Sequence, residues 1–262
     1  MRRLILGALL CVPFAGHAES LSAVQACMQA NVSKELRVHA FTLTTTESDG
    51  ATRVISGRMA LTSTQSAEGQ FQLRAVLRVS QPDSFAGAAY LVREVGDPQD
   101  SAMYVYLPSI RAVRAVYDNF GDGALLGSDF SYRDLKQLQS GFSGSQLSLE
   151  GEDRVEGRRS FRLTLTPASG TWEYSSVKFW VDAQSCVPLK AQYLQGEHAV
   201  KELSVPATGL RQAGKSWYAT QLRMNNLDNG TQTVLSLADI DAPKIPSPEL
   251  FNVQTFFLPG SL

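Results

Sequence analysis

From Leu36 onward the chain alternates apolar and polar residues with a period of two, in run after run with only short breaks. The runs LRVHAFTLTTT, TRVISGRMALT, GQFQLRAVLRVSQP and FAGAAYLVREV open the series. Turn-forming Ser48-Asp49-Gly50, Glu68-Gly69 and Pro82-Asp83 separate them. Residues 103–107 and 110–117 read as a hairpin around Pro108-Ser109. Further runs follow: SQLSLEGEDRV, RRSFRLTLTP, SSVKFWVDA, CVPLKAQYL, VKELSVPATGL, WYATQLRMNNL and TVLSLADI. The breaks between them hold Glu156-Gly157, Asp182-Ala183, Ala213-Gly214 and the hairpin signal Asp228-Asn229-Gly230. Connections this short join antiparallel neighbours, because parallel pairing needs a crossover of a dozen residues or more. The pattern therefore predicts a mainly β, antiparallel meander of about 11–12 strands. There is no βαβ alternation, internal repeat or linker composition, so residues 19–262 are expected to form one domain.

Alternation also says that each strand has one apolar face. Phe71, Leu73, Ala75, Leu77 and Val79 share a side, and Gln70, Gln72, Arg74, Arg78 and Ser80 share the other. An apolar face repeated over so many strands must be covered. A second sheet would make a sandwich; helices or a ligand would cover a curved, half-open barrel. Two helical patterns are available as covers. In LSAVQACMQANV (residues 21–32), Leu21, Val24, Cys27 or Met28, and Val32 fall on one face, with Ser20 or Ser22 as the cap. In the second, Ser131 reads as an N-cap with Asp134 three residues on, and Tyr132, Leu135 and Leu138 form the apolar side. Asp129 and Asp134 both favour that helix N-terminus through the macrodipole. This explains Asp129, Ser131 and Asp134 without any catalytic role.

Residues 1–18 have the form of a secretory signal peptide: Arg2 and Arg3, an apolar stretch from Leu4 to Phe14, then Gly16-His17-Ala18 before Glu19. Export through the inner membrane places the mature chain in the periplasm, an oxidising compartment. There the isolated pair Cys27 and Cys186 is expected to bond, against the alternative of two separate buried thiols. The net charge of -1 and the lack of any Lys/Arg run speak against a nucleic-acid partner.

Catalytic and metal-binding patterns are equally thin. His39 and His198 lie far apart with no Cys/His neighbours, and the Cys spacing fits neither a CxxC nor a zinc site, so no metal or cofactor is expected. GxSxG is absent, and Gly141-Phe142-Ser143-Gly144-Ser145 lacks its spacing. The loop Gly121-Asp122-Gly123-Ala124-Leu125-Leu126-Gly127 lacks the lysine and context of a phosphate loop. Leu125 and Leu126, apolar residues in a glycine-rich loop, either pack inward or line an entrance. Trp172, Trp180 and Trp217 suit a core or a cavity wall better than sugar stacking. Arg111, Arg114 and Arg133 either hold an anionic headgroup or are simply solvated.

The stretch YVYLPSIRAVRAV followed by LLGSDFSYRDL resembles the outer-membrane lipoprotein-sorting (LolA-like) periplasmic family, whose members share a "YLP…R.RR…GSDF.Y.D" signature. Val181-Asp182 leading to Pro188-Leu189-Lys190 and Tyr193, and residues 248–251, are similar to later parts of that family. The similarity spans roughly residues 50–255 and departs at Ala112 and Ala115, where the family commonly has basic residues. It implies an unclosed antiparallel β-barrel with short helices over its open side and an apolar cavity for acyl chains. It further implies a monomeric, non-enzymatic carrier of a lipid or lipoprotein acyl group, working beside an inner-membrane exporter of the resistance-nodulation-division type. A filled-barrel adaptor that docks on such an exporter is the alternative. The cavity residues expected on this basis are Tyr104, Tyr106, Leu125, Leu126, Phe130 and Trp180, with Arg111 and Arg114 near the headgroup.

Overall fold

The strands that begin and end the chain's β region meet in the middle of one sheet. In the computed structural model, which describes residues 19–67, 69, 71–94, 102–116, 121–140, 146–167, 173–240 and 247–260, helix α1 (Leu21–Ala30) precedes six strands. These are β1 (Arg37–Thr46), β2 (Thr52–Gln65), β3 (Phe71–Gln81), β4 (Ala89–Arg93), β5 (Ala102–Leu107) and β6 (Ala112–Val116). Helix α2 (Tyr132–Ser140) separates them from β7 (Gln146–Val155), β8 (Arg158–Thr166), β9 (Ser176–Asp182), β10 (Pro188–Gln195) and β11 (His198–Ser204). The hairpin β12 (Leu210–Ala213) and β13 (Ser216–Ala219) precedes β14 (Gln221–Asn226) and β15 (Gln232–Ile240). The main sheet has 13 strands in the order β6-β5-β4-β3-β2-β1-β15-β14-β11-β10-β9-β8-β7. β1 pairs with β15 from Val38↔Ile240 to Thr46↔Gln232 and so joins the two halves. The end strands β6 and β7 do not pair with each other, so the barrel stays open. The segment 1–18, Trp172 and residues 141–145 lie outside the described residues.

The sheet is slightly larger than the expected 11–12 strands. The run WYATQLRMNNL is broken at Thr220, whose backbone N–H and Oγ1 both donate to the Gly209 carbonyl, at 2.8 and 2.7 Å. That contact splits one expected strand into β14, which stays in the main sheet, and β13, which pairs with β12 in a separate two-stranded sheet. The β6 strand is also shorter than its pattern: Arg111 sits at φ 49° in the turn, and the ladder starts at Ala112.

Both faces of the sheet are apolar in part, and different segments cover them. On the inner face, Phe41, Leu43, Ile55, Leu77, Val79, Leu163, Phe179, Leu189, Leu203 and Met224 form one core with Val24 and Met28 of α1 and with Phe130. Leu135 and Leu138 of α2 pack on it. On the outer face Ala60, Val76, Ala89 and Leu91 form a second core with Leu250 and Phe256 of the segment 247–260. The two sets alternate on β3 and β4, where Val76 and Leu91 of the outer core neighbour Leu77 and Tyr90 of the inner one, as period two requires.

The helices begin as the sequence predicts. Ser20 caps α1, accepting from the Ala23 N–H at 3.2 Å. For α2 the capping box is complete: the Ser131 N–H donates to Asp134 Oδ2 at 2.8 Å, and the Asp134 N–H donates to Ser131 Oγ at 3.1 Å. The buried side of α1 is Val24 and Met28, whereas Cys27 lies on an exposed position. From there it reaches buried Cys186 in a disulfide with Cα atoms 5.8 Å apart, so the expected bridge is present.

Candidate functional site

Residues 121–131 cross the inner face as a lip between β6 and α2. Their shape follows from local hydrogen bonding. The Leu125 N–H donates to the Phe130 carbonyl at 2.7 Å, and Ser128 Oγ donates back to the Leu125 carbonyl at 2.7 Å. Leu126 (φ 54°) and Gly127 (φ 66°) are both left-handed, a conformation that glycine accepts freely and leucine does not. Arg53 of β2 holds this turn from below, donating to the carbonyls of Leu126 at 2.9 Å and Gly127 at 2.5 Å. Asp129 accepts from Thr231 Oγ1 at 2.5 Å and Thr233 Oγ1 at 2.8 Å. Asp129 therefore ties the lip to β15 rather than serving the helix N-terminus as the sequence suggested. Arg133 pairs with Asp122 at 2.5 Å and pins the other end of the loop.

Between this lip and the sheet lies a pocket of about 520 Å³. Ile55, Phe85, Tyr90, Met103, Val116, Leu125, Leu126 and Tyr132 line it, with Arg53 at its edge. Its volume falls in the range of sites that take small apolar ligands. On the far side of α2 lies a narrower space of about 100 Å³, lined by Met28, Met59, Leu61, Leu135, Leu138, Leu222 and Leu235. Arg37, His39 and Tyr218 give it a polar end.

The charges around both spaces are held inside hydrogen-bond networks. Buried Glu94 accepts from the Leu73 N–H at 2.8 Å and from the Tyr132 hydroxyl at 3.0 Å, and Lys136 Nζ lies 2.5 Å away. Burial, reinforced by the Glu94 charge, pushes the Tyr132 phenol well above its usual range, so Tyr132 stays a donor. Burial likewise raises the Asp134 carboxyl. His39 Nδ1 is 2.9 Å from Asp239 Oδ1 but is not aligned for a good hydrogen bond. Burial wins there, and His39 is held below the usual histidine range despite Asp239. Tyr218 donates to Asp239 and is pushed up to about 12, first by burial and then by that carboxylate. Among the described residues, no group of three or more His, Cys, Asp or Glu side chains is placed to hold a metal ion.

The structure brings together only some of the residues expected to share the cavity. Leu125 and Leu126 line the pocket. Phe130 lies beneath the lip, fully buried in the inner core. Tyr104 and Tyr106 are on the outer face, because their neighbour Met103 points inward, and Tyr106 stacks on Phe257 with ring centroids 4.0 Å apart. Trp180 is also outside, between inward-facing Phe179 and Val181 on β9; its Nε1–H donates to Asp153 at 2.9 Å. Arg111 lies in the β5–β6 turn, and Arg114 is exposed opposite Val105. Arg53, Ile55, Tyr90 and Met103 line the pocket without having been singled out. For Met103 the alternation with Tyr104 was the available signal, since one of the two had to face inward.

A protein-family model described as "Uncharacterized protein" matches residues 72–256. The chain belongs to that family. No curated protein matches the chain. Solved structures share its fold, three of them as follows. A DUF1329 family protein from Desulfovibrio piger is 22% identical, with 88% of this chain and 97% of that one covered and a TM-score of 0.77. A domain described as an outer membrane lipoprotein-sorting protein, from Vibrio parahaemolyticus, is 19% identical, with 89% and 96% covered and a TM-score of 0.76. A LolA superfamily protein from Nitrosomonas europaea is 15% identical, with 90% and 98% covered and a TM-score of 0.67. The fold implied by the resemblance is thus the fold observed: an open antiparallel β-barrel with two α-helices among the described residues.

Proposed function

We propose that the protein is a periplasmic carrier that buries a lipid or lipoprotein acyl chain between its sheet and the 121–131 lip and releases it without covalent chemistry. The observation that carries this reading is the apolar pocket of about 520 Å³ under Leu125 and Leu126. The likeness to a lipoprotein-sorting domain and to a LolA superfamily protein supports it at the level of fold. No described helix is long and apolar enough to cross a membrane. The magnitudes suit a carrier. About ten buried methylenes supply about 8 kcal/mol before association costs, enough for capture and still compatible with release. Residues 1–18 direct export, the mature chain acts as a monomer, and an inner-membrane exporter of the resistance-nodulation-division type hands over or accepts the ligand. Ile55, Tyr90, Met103, Leu125 and Leu126 contact the chain.

The test is native mass spectrometry of the mature protein purified from an envelope fraction, followed by titration with a fluorescent fatty acid. Co-purified lipid, displaced by the probe, is the expected result. A protein that is ligand-free and does not bind the probe rules the carrier out. A second reading, an adaptor that docks by strand addition, has the unpaired end strands β6 and β7 in its favour. It predicts exporter binding that survives when Leu126→Arg fills the pocket mouth.

A further inference from the structure

The outer face carries a site that the carrier reading does not use. Arg74 on β3 and Arg93 on β4 are directly opposite each other in the ladder. Residues so paired have Cβ atoms about 5 Å apart, and like charges there repel. Both side chains are half-buried. Several other arginines of this chain have partners: Arg53 the lip carbonyls, Arg78 the Phe256 carbonyl at 2.9 Å, Arg133 Asp122 and Arg158 Asp182, while Arg58, Arg114 and Arg223, unpaired among the described residues, are exposed to solvent. Arg74 and Arg93 have no acceptor or ion-pair partner among the described residues.

These two guanidinium groups open onto a hollow of about 580 Å³ beside the segment 247–260. Ser247, Asn252 and Gln254 contribute polar groups to its wall, Phe251 contributes an apolar surface, and no carboxylate lines it. Asn252 Oδ1 accepts from the Gln254 N–H at 2.9 Å, which fixes this turn and leaves the Asn252 amide NH₂ without an acceptor among the described residues. The segment itself is anchored by Arg78 on Phe256 and by Tyr106 stacked on Phe257. The wall is therefore a built feature of the fold.

We propose that Arg74 and Arg93 form a binding site for a phosphate group, carried either by free phosphate or by a lipid headgroup. One carboxylate is matched by one guanidinium fork. Two forks converging from adjacent strands match the three or four oxygens and higher charge of a phosphate. Filling the site also removes the repulsion between the two cations. The site is on the opposite face from the 520 Å³ pocket and stands whether or not that pocket binds acyl chains.

The experiment uses the mature protein at low salt, titrated calorimetrically with inorganic phosphate and, separately, with dihexanoyl phosphatidic acid below its micelle concentration. The variants are Arg74→Gln, Arg93→Gln, the double variant and Arg162→Gln as a control on β8. Each lost charge-assisted fork should weaken binding about tenfold or more, and the Arg162 variant should match the wild type. The double variant should also melt at the same temperature as the wild type or slightly higher, since a repulsive pair has gone; a structural role would lower it. Binding of both probes assigns the site to the phosphate group itself. Binding of phosphatidic acid alone assigns it to a lipid headgroup, and of inorganic phosphate alone to the free ion. No saturable binding of either probe, or binding that the double variant retains, overturns the proposal.

Discussion

Breaking the Cys27–Cys186 bridge tests how the inner helix cover is held. The two residues are 159 positions apart. In the chain-entropy model, a cross-link closing a loop of this length lowers the unfolded state's entropy enough to stabilise folding by about 5 kcal/mol at 25 °C. Residual unfolded structure reduces this, so a loss of about 2–5 kcal/mol is expected on reduction. The folded state has other ties at the same place. Asn31 Nδ2 donates to the Ser185 carbonyl at 2.7 Å, the Trp217 N–H donates to Asn31 Oδ1 at 2.8 Å, and Ser216 Oγ donates to the Ala30 carbonyl at 3.1 Å. Val24 and Met28 are also buried in the inner core, a contact that does not depend on the sulfur–sulfur bond itself. The bridge should therefore act on the unfolded chain and leave α1 seated. The assay is urea denaturation of oxidised protein, of protein kept reduced with dithiothreitol, and of Cys27→Ser/Cys186→Ala, with hydrogen exchange over residues 21–30. A drop of about 2–5 kcal/mol with α1 amides still protected is expected. At about 2–4 °C per kcal/mol, that is a fall in melting temperature of roughly 5–20 °C. Stability unchanged within about 1 kcal/mol, together with α1 amides exchanging freely, would refute the reasoning, because the bond would then be acting on the native state alone.

Three further outcomes follow from named contacts. Arg53→Ala removes both donors from the Leu126–Gly127 turn and should cost about 1.5–3 kcal/mol, with faster hydrogen exchange confined to residues 121–131; exchange unchanged there would show that Asp129 and Asp122 suffice to hold the lip. Gly57 of β2 sits opposite a β-bulge in β3, where an added Cβ would lie 1.8 Å from the Arg78 carbonyl oxygen and 2.9 Å from the Phe41 ring. Gly57→Ala should lower stability by about 1–3 kcal/mol or more in a thermal melt, and a neutral result would mean that the bulge relaxes freely. His39 titrates below its usual value of 6.5 when folded, so the unfolded state takes a proton first as pH falls. Stability should therefore drop as pH is lowered from about 6.5 towards the folded value, and His39→Gln should flatten that part of the urea midpoint-versus-pH curve.

The sheet and the helix starts were legible because they rest on local rules. Period two in β1 to β5 gave the strands, and Ser131 with Asp134 gave the start of α2 through two reciprocal hydrogen bonds. The site was less legible because its residues are chosen by which face they occupy. The alternation Met103-Tyr104-Val105-Tyr106 shows that the tyrosines share a side but not which side that is. The deciding contact, Phe257 on Tyr106, comes from residues about 150 positions later. Trp180 is ambiguous in the sequence for the same reason: an aromatic in a strand suits either face, and here Asp153 and Lys190 hold it outside. Asp129 has the pattern of a helix-terminus charge, but its partners are Thr231, just before β15, and Thr233 on β15, about 100 positions away and beyond the reach of any local pattern.

The two faces also differ in how firmly they are closed. The outer cover is seated by burial: Phe256 is fully buried and Leu250 nearly so, and each such side chain contributes about 1.5–3 kcal/mol. The inner lip exposes part of Leu125 and Leu126 and holds Leu126 in a left-handed turn, which costs about 1–2 kcal/mol. Against that cost stand the two Arg53 hydrogen bonds to backbone carbonyls, worth about 1.5–3 kcal/mol each in a buried setting and less at this partly exposed edge. The opposing terms at the lip are of similar size, whereas those at the outer cover are not. Opening should therefore begin at residues 125–127, over the apolar pocket, while the segment 247–260 and the arginine pair beside it keep their geometry.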